Sequence, residues 1–132
     1  MNGPVRPEEQ ITRFLVHSNE YKSAHGRPSY TAYMPDGNGE KSVYRTRDLS
    51  SEEIYQIGRT YVEPLRGPLK GHADQDASVI FNVGLSIEPA PKPHPRHANI
   101  KGWNNSRSAD RILAEKIAAT ARLKLYKLAP SS

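Results

Sequence analysis

The stretch PAPKPHP, residues 89–95, places four prolines at alternate positions. Each proline fixes its φ and removes a backbone donor, and each restrains the residue before it. No helix can run through such a segment, and no central strand tolerates it. The expectation is an extended, polyproline-like arm. With the flanking residues it makes a proline-rich extended loop over 88–105 that crosses from the last core strand to the basic helix.

Ahead of this arm, ITRFLVH alternates Ile11, Arg13, Leu15 and His17 with Thr12, Phe14 and Val16, and reads as a strand. The polar segment 18–29 reads as a loop. YTAYMP and KSVYRT flank DGNGE, where Gly37 and Gly39 can supply positive φ, so this region reads as a hairpin. DLSSEEIYQIGRTYVEP carries the clearest helix signal. Ser50 and Glu53 have capping-box spacing, and Leu49 can staple onto Ile54. Ile54, Ile57, Gly58, Tyr61, Val62 and Leu65 share one helical face, and Pro64 stops the helix at Glu63. Gly58 on that face costs about 1 kcal/mol against alanine, which close approach of another element explains. GPLKGHADQD reads as a short strand between turns, and ASVIFNVGLSIEP as a longer strand. Beyond the arm, SRSADRILAEKIAATARLKLYKL reads as a helix capped by Ser106 or Ser108.

The total is about five strands and two helices. A chain of 132 residues suits a single α+β domain, residues 1–132, with two helices on one face of a mostly antiparallel sheet. Residues 1–10 are expected to be loosely ordered. The core is expected to be thin, because only 36% of the residues are hydrophobic and the mean hydropathy is −0.75. A protein partner, or self-association, would complete it.

Several function classes fall away. There are no cysteines, hence no disulfide, thiolate metal site or cysteine nucleophile. The apolar runs are too short to span a membrane, and MNGPVRPEEQ has no secretory core, so a cytoplasmic location is expected. No GxSxG, P-loop or HExxH pattern occurs, and no cofactor is expected. HPRH brings His94 and His97 three apart, with His72, Asp74 or Asp76 as a third ligand. That spacing in a proline-flanked loop does not define a metal site, and none is assigned.

Charge is uneven. Residues 1–100 balance twelve basic against twelve acidic side chains, so the net +5 lies entirely in the last quarter. Lys92, Arg96 and Lys101 of the arm, with Arg107, Arg111, Arg122 and Lys127 beyond it, form a candidate phosphate-contacting surface. Trp103 would stack on a base or anchor a partner, and Asn99 would cap a turn or join that surface. The resulting expectation is a small basic accessory or binding protein in a larger complex, or an oligomer, with nucleic acid as a further partner. The alternative is a small hydrolase, a nuclease above all. In it His94 and His97 serve as acid and base, and Lys101 as the cation near phosphate.

Overall fold

The structure is a computed structural model and describes residues 3–22 and 26–126. The fold is α+β: a six-stranded antiparallel sheet with helices packed against it. The strands are β1 (Gln10–Leu15), β4 (Lys41–Arg45), β5 (Gly71–Asp76), β6 (Ser86–Pro89), β7 (His97–Lys101) and β8 (Arg122–Leu125), in the spatial order β6-β7-β4-β1-β5-β8. A separate ribbon pairs β2 (Tyr21–Lys22) with β3 (Arg27–Pro28). Among the described residues no helix is long and apolar enough to cross a membrane.

Strand alternation separates two clusters of buried side chains. Ile11 and Leu15 of β1, Val43 of β4, Ala73 of β5, and Ala98 and Ile100 of β7 form the larger one. Helix α3 (Ala77–Asn82) adds Ala77 and Ile80, and helix α4 (Arg107–Thr120) adds Ala114, Ile117 and Ala118. Trp103 is buried in this cluster, and its indole Nε1 donates to the Ile100 carbonyl at 3.1 Å. It therefore anchors the chain and presents no face for stacking on a base. Burying a side chain such as Ile100 contributes roughly 1.5–3 kcal/mol.

The alternate residues Phe14, Val16 and Tyr44 join Ile54, Ile57, Val62 and Leu69 in the second cluster. Helix α1 (Ser51–Ile57) supplies the two isoleucines. Its capping box is present as expected, Ser50 Oγ accepting from the Glu53 amide and Glu53 from the Ser50 amide. A π turn, Gly58–Val62, comes next, and α2 (Glu63–Arg66) continues it. Pro64 therefore does not end the helix. It offers no N–H of its own, and in the wider turn ahead of it the Glu63 amide reaches the Gly58 carbonyl. The extra residue also rotates the rest of the helix, leaving Leu65 81% exposed where the regular period would bury it. Gly58 does permit close approach: a Cβ there would lie 2.7 Å from the Phe14 ring.

Other elements differ from expectation. Residues 77–82 are helical, because Ala77 and Ile80, three apart, share the buried face. Tyr30–Ala32 is a 3-10 turn, so no hairpin forms around DGNGE; the loop closes through Asp36 and Glu40. The last helix stops at Thr120, where Ala121 turns extended and β8 joins the sheet edge beside β5. The 88–105 arm is largely a β-hairpin, β6 pairing with β7 around a short loop that contains a cis Lys92–Pro93 bond. Residues 3–9, expected to be loose, are held down: Val5 and Glu9 are buried, and Arg45 binds the Glu9 carboxylate and the carbonyls of Gly3 and Pro4.

Candidate functional site

β1 and β4 pair only at Ile11–Arg45 and Thr12–Tyr44. Beyond Tyr44 the two strands splay apart. The Ser42 carbonyl takes its bond from a side chain, Arg13 Nη1 at 3.0 Å, while Arg13 Nε donates to the Ala32 carbonyl at 3.2 Å. A cleft of about 190 Å³ opens over this gap. Arg13, Phe14, Ser42 and Tyr44 line it from the sheet, Tyr61, Val62, Leu65 and Arg66 from the helix, and Pro93 and His97 from the β6–β7 hairpin. The π turn is what brings Tyr61 and Arg66 to the same opening.

Arg13 sets the electrostatics. It is buried, and among the described residues its Nη2 has no hydrogen-bond partner. The nearest carboxylate oxygen, Glu20 Oε2, stands 3.8 Å away. The other Glu20 oxygen is engaged elsewhere: Oε1 accepts from the Val16 and His17 amides. Burial, together with the Arg66 charge, pulls the Arg13 guanidinium down to about 10. Burial and the charges of Arg13 and Arg66 likewise bring the Lys41 ammonium to about 8, despite an ion pair with Asp36 at 3.3 Å. Three cations thus crowd one another where β1 and β4 part.

His97 is fixed on three sides. Its ring meets Tyr44 edge to face at 5.3 Å, Nδ1 lies 2.9 Å from the Ala90 carbonyl, and Nε2 lies 2.7 Å from Ser42 Oγ. A carbonyl only accepts, so in the neutral ring Nδ1 carries the proton and the Ser42 hydroxyl donates to Nε2. His94 also touches Tyr44, at 6.1 Å, and Tyr61, at 4.8 Å. Yet it faces a different depression, with Leu49, Glu52, Glu53, Gln56, Ile57 and Arg96. Burial, then Arg96 and His97, lower its pKa, and its Nδ1 accepts from the Arg96 amide. The two histidines are neighbours but open to separate clefts.

Lys101 joins neither. It is held by Glu40 at 2.9 Å and Glu88 at 3.3 Å. His72 lies two rings from His97, through Tyr44 and Phe14, and is fully buried. Its Nδ1 meets the Tyr126 hydroxyl at 2.6 Å and its Nε2 lies 3.3 Å from Asp74. Among the described residues no three metal-ligating side chains are grouped for an ion.

The expected basic surface is dispersed. Lys92, Arg96 and Lys101 lie on the β6–β7 side, and Arg122 lies on β8, with β4, β1 and β5 between. Arg122 is paired with Asp76 at 3.5 Å. Arg111 bonds Glu115 at 2.8 Å and stacks over Tyr30 at 4.3 Å. Arg96 donates to the Arg45 carbonyl, and Arg107 is exposed at the start of α4. Asn99 stands mid-strand between Ser42 and Glu88, so it caps no turn. Lys127 lies outside the described residues.

Sequence reading selects His97 but passes over Arg13, Ser42, Tyr61 and Arg66. One signal is present: Arg13 occupies an inward position between Ile11 and Leu15, and a cation in a buried strand position needs a partner. Comparison of the chain with protein-family models, curated proteins and solved structures finds no match.

Proposed function

We propose that this chain is a binding protein for a small organic anion, seated in the cleft between the splayed strands and the π turn. The buried, incompletely bonded guanidinium of Arg13 carries the reading. A buried charge is costly unless it is paired, and planar guanidinium suits a carboxylate. Arg66 at the same opening adds a second cation. Phe14, Tyr44, Tyr61, Val62, Leu65 and Pro93 supply apolar or aromatic wall, with Ser42 and His97 beside them. The volume, about 190 Å³, compares with the roughly 150 Å³ that accepts benzene in an engineered cavity. A monocyclic carboxylate meets both requirements.

This ligand is preferred to nucleic acid because the candidate phosphate contacts are split between two sides of the sheet and several already hold carboxylates. It is preferred to the two-histidine nuclease because His94 and His97 line different depressions. Titration with benzoate, acetate and inorganic phosphate, followed by heteronuclear NMR, tests it. Benzoate should shift the Arg13 and Tyr61 signals and saturate, and Arg66→Ala should weaken it about tenfold, the equivalent of 1.4 kcal/mol. Equal, unsaturable responses to all three anions would defeat the reading.

A further inference from the structure

We propose that the Ser42–His97 pair is a catalytic dyad that hydrolyses small, negatively charged esters; this rests on the anion-site reading. Both residues line the cleft. The Ser42 hydroxyl donates to His97 Nε2 at 2.7 Å, and the Ala90 carbonyl fixes the tautomer from the other side of the ring at 2.9 Å. Nucleophile, base and orienting acceptor therefore stand in the relation that acyl transfer by serine requires, with a backbone carbonyl as the third member. Tyr44 packs on the imidazole and holds its plane. Arg13 binds the carbonyl of the same Ser42 through Nη1 at 3.0 Å, which fixes its cationic guanidinium against the residue that carries the nucleophile. With the substrate's carboxylate on Arg66, this fixed cationic donor is left for the oxyanion, which it favours over a neutral carbonyl.

Ser42 Oγ attacks the ester carbonyl carbon while its proton passes to His97 Nε2. A C–O bond forms, and the carbonyl π pair moves onto oxygen, next to Arg13. The oxyanion then collapses and breaks the bond to the leaving oxygen, which takes the proton from His97 and departs as the alcohol. Water repeats the sequence on the acyl-serine: it gives a proton to His97, adds to the acyl carbon, and the acid leaves as the proton returns to Ser42. The balance is ester plus water giving acid plus alcohol, with no redox partner. His94 has no part in it.

The test uses the full chain with phenylmethanesulfonyl fluoride, read by intact mass and peptide mapping. The expected product is one phenylmethanesulfonyl group on Ser42, formed as fluoride leaves and His97 takes the proton. Ser42→Ala should abolish labelling, and His97→Gln should slow it on the order of 100-fold. Ser42→Ala should no longer release 4-hydroxybenzoate from 4-acetoxybenzoate. Removing one hydroxyl leaves the Ser42→Ala arm informative even where His97→Gln does not fold. No label at Ser42, or a rate indifferent to His97, with benzoate still bound, overturns the dyad and leaves the binding reading intact. Absence of both labelling and benzoate binding overturns the two together.

Discussion

Two arginines in neighbouring strands are equally hidden from solvent, each about 3% exposed, yet they are bonded in opposite ways. Arg45 is bonded through all three of its nitrogens. Its Nε and Nη2 grip the Glu9 carboxylate at 2.8 Å, Nη1 donates to the Gly3 carbonyl and Nη2 also to that of Pro4. Arg13 has two carbonyls, a carboxylate 3.8 Å away and one nitrogen, Nη2, with no hydrogen-bond partner. The first arrangement uses its charge to hold the N-terminal segment to the sheet. The second keeps charge in reserve at a cleft. Burial of a cation alone therefore does not single out a binding residue; the proposed anion site rests on the incomplete bonding set of Arg13.

The largest effect should come from breaking the Arg45–Glu9 pair. Glu9→Gln leaves the Arg45 charge buried without its carboxylate and should cost about 3–5 kcal/mol in urea denaturation. Arg13→Met is the contrasting variant. It removes a poorly compensated buried charge and fills the space with apolar atoms, so stability should change by less than about 1 kcal/mol. Benzoate binding should meanwhile fall at least tenfold in an NMR titration. Equal destabilisation by the two variants would erase the distinction between them.

A pH series sharpens the same contrast. Lys41, crowded by Arg13, has a folded pKa near 8 against an ordinary value of 10.5. Between these values the unfolded chain holds the extra proton, so stability should rise with pH across roughly 8 to 9.5, by about 1 kcal/mol per unit. Lys41→Met should flatten that slope. Above about 10 the sense reverses, because burial raises the Tyr33, Tyr44 and Tyr126 hydroxyls and their ionisation favours unfolding. Glu9 acts at the other end. Burial alone would raise its carboxyl, but hydrogen bonds from Arg45 and the Arg6 amide hold it lower, so its contribution is lost as pH falls through the acid range. The smallest effect belongs to the exposed Arg111–Glu115 pair: Glu115→Ala should change stability by less than about 0.5 kcal/mol in the same denaturation assay.

Local signals with one physical meaning are legible in the chain. The Ser50–Glu53 capping box, the β1 alternation and the close packing at Gly58 depend on neighbours in sequence or on sterics that a single residue declares. Segment 77–89 is not legible, because its apolar residues satisfy both periods. Val79, Phe81 and Val83 suggest a strand, while Ala77 and Ile80 face the core of a short helix that ends at Val83, before Gly84 with φ +90°. The helix reading of 122–125 fails for a related reason: Arg, Lys and Leu favour helix, but an open edge beside β5 offers Arg122–Leu125 a ladder. The cleft depends on contacts far apart in sequence, Ser42 with His97 and Arg13 with Ser42, and no local pattern records a strand pair that parts midway.

The π turn has one more consequence. An α-helix advances about 100° per residue, so deleting one position from Gly58–Val62 would swing everything beyond it through that angle. Tyr61, Leu65 and Arg66 would all change places at the cleft mouth together, while Ile54 and Ile57 stayed where they are. A change of chain length by one codon would therefore rewrite the wall of the cleft more completely than any single side-chain exchange. That is a short path between differently shaped clefts on an otherwise unchanged sheet.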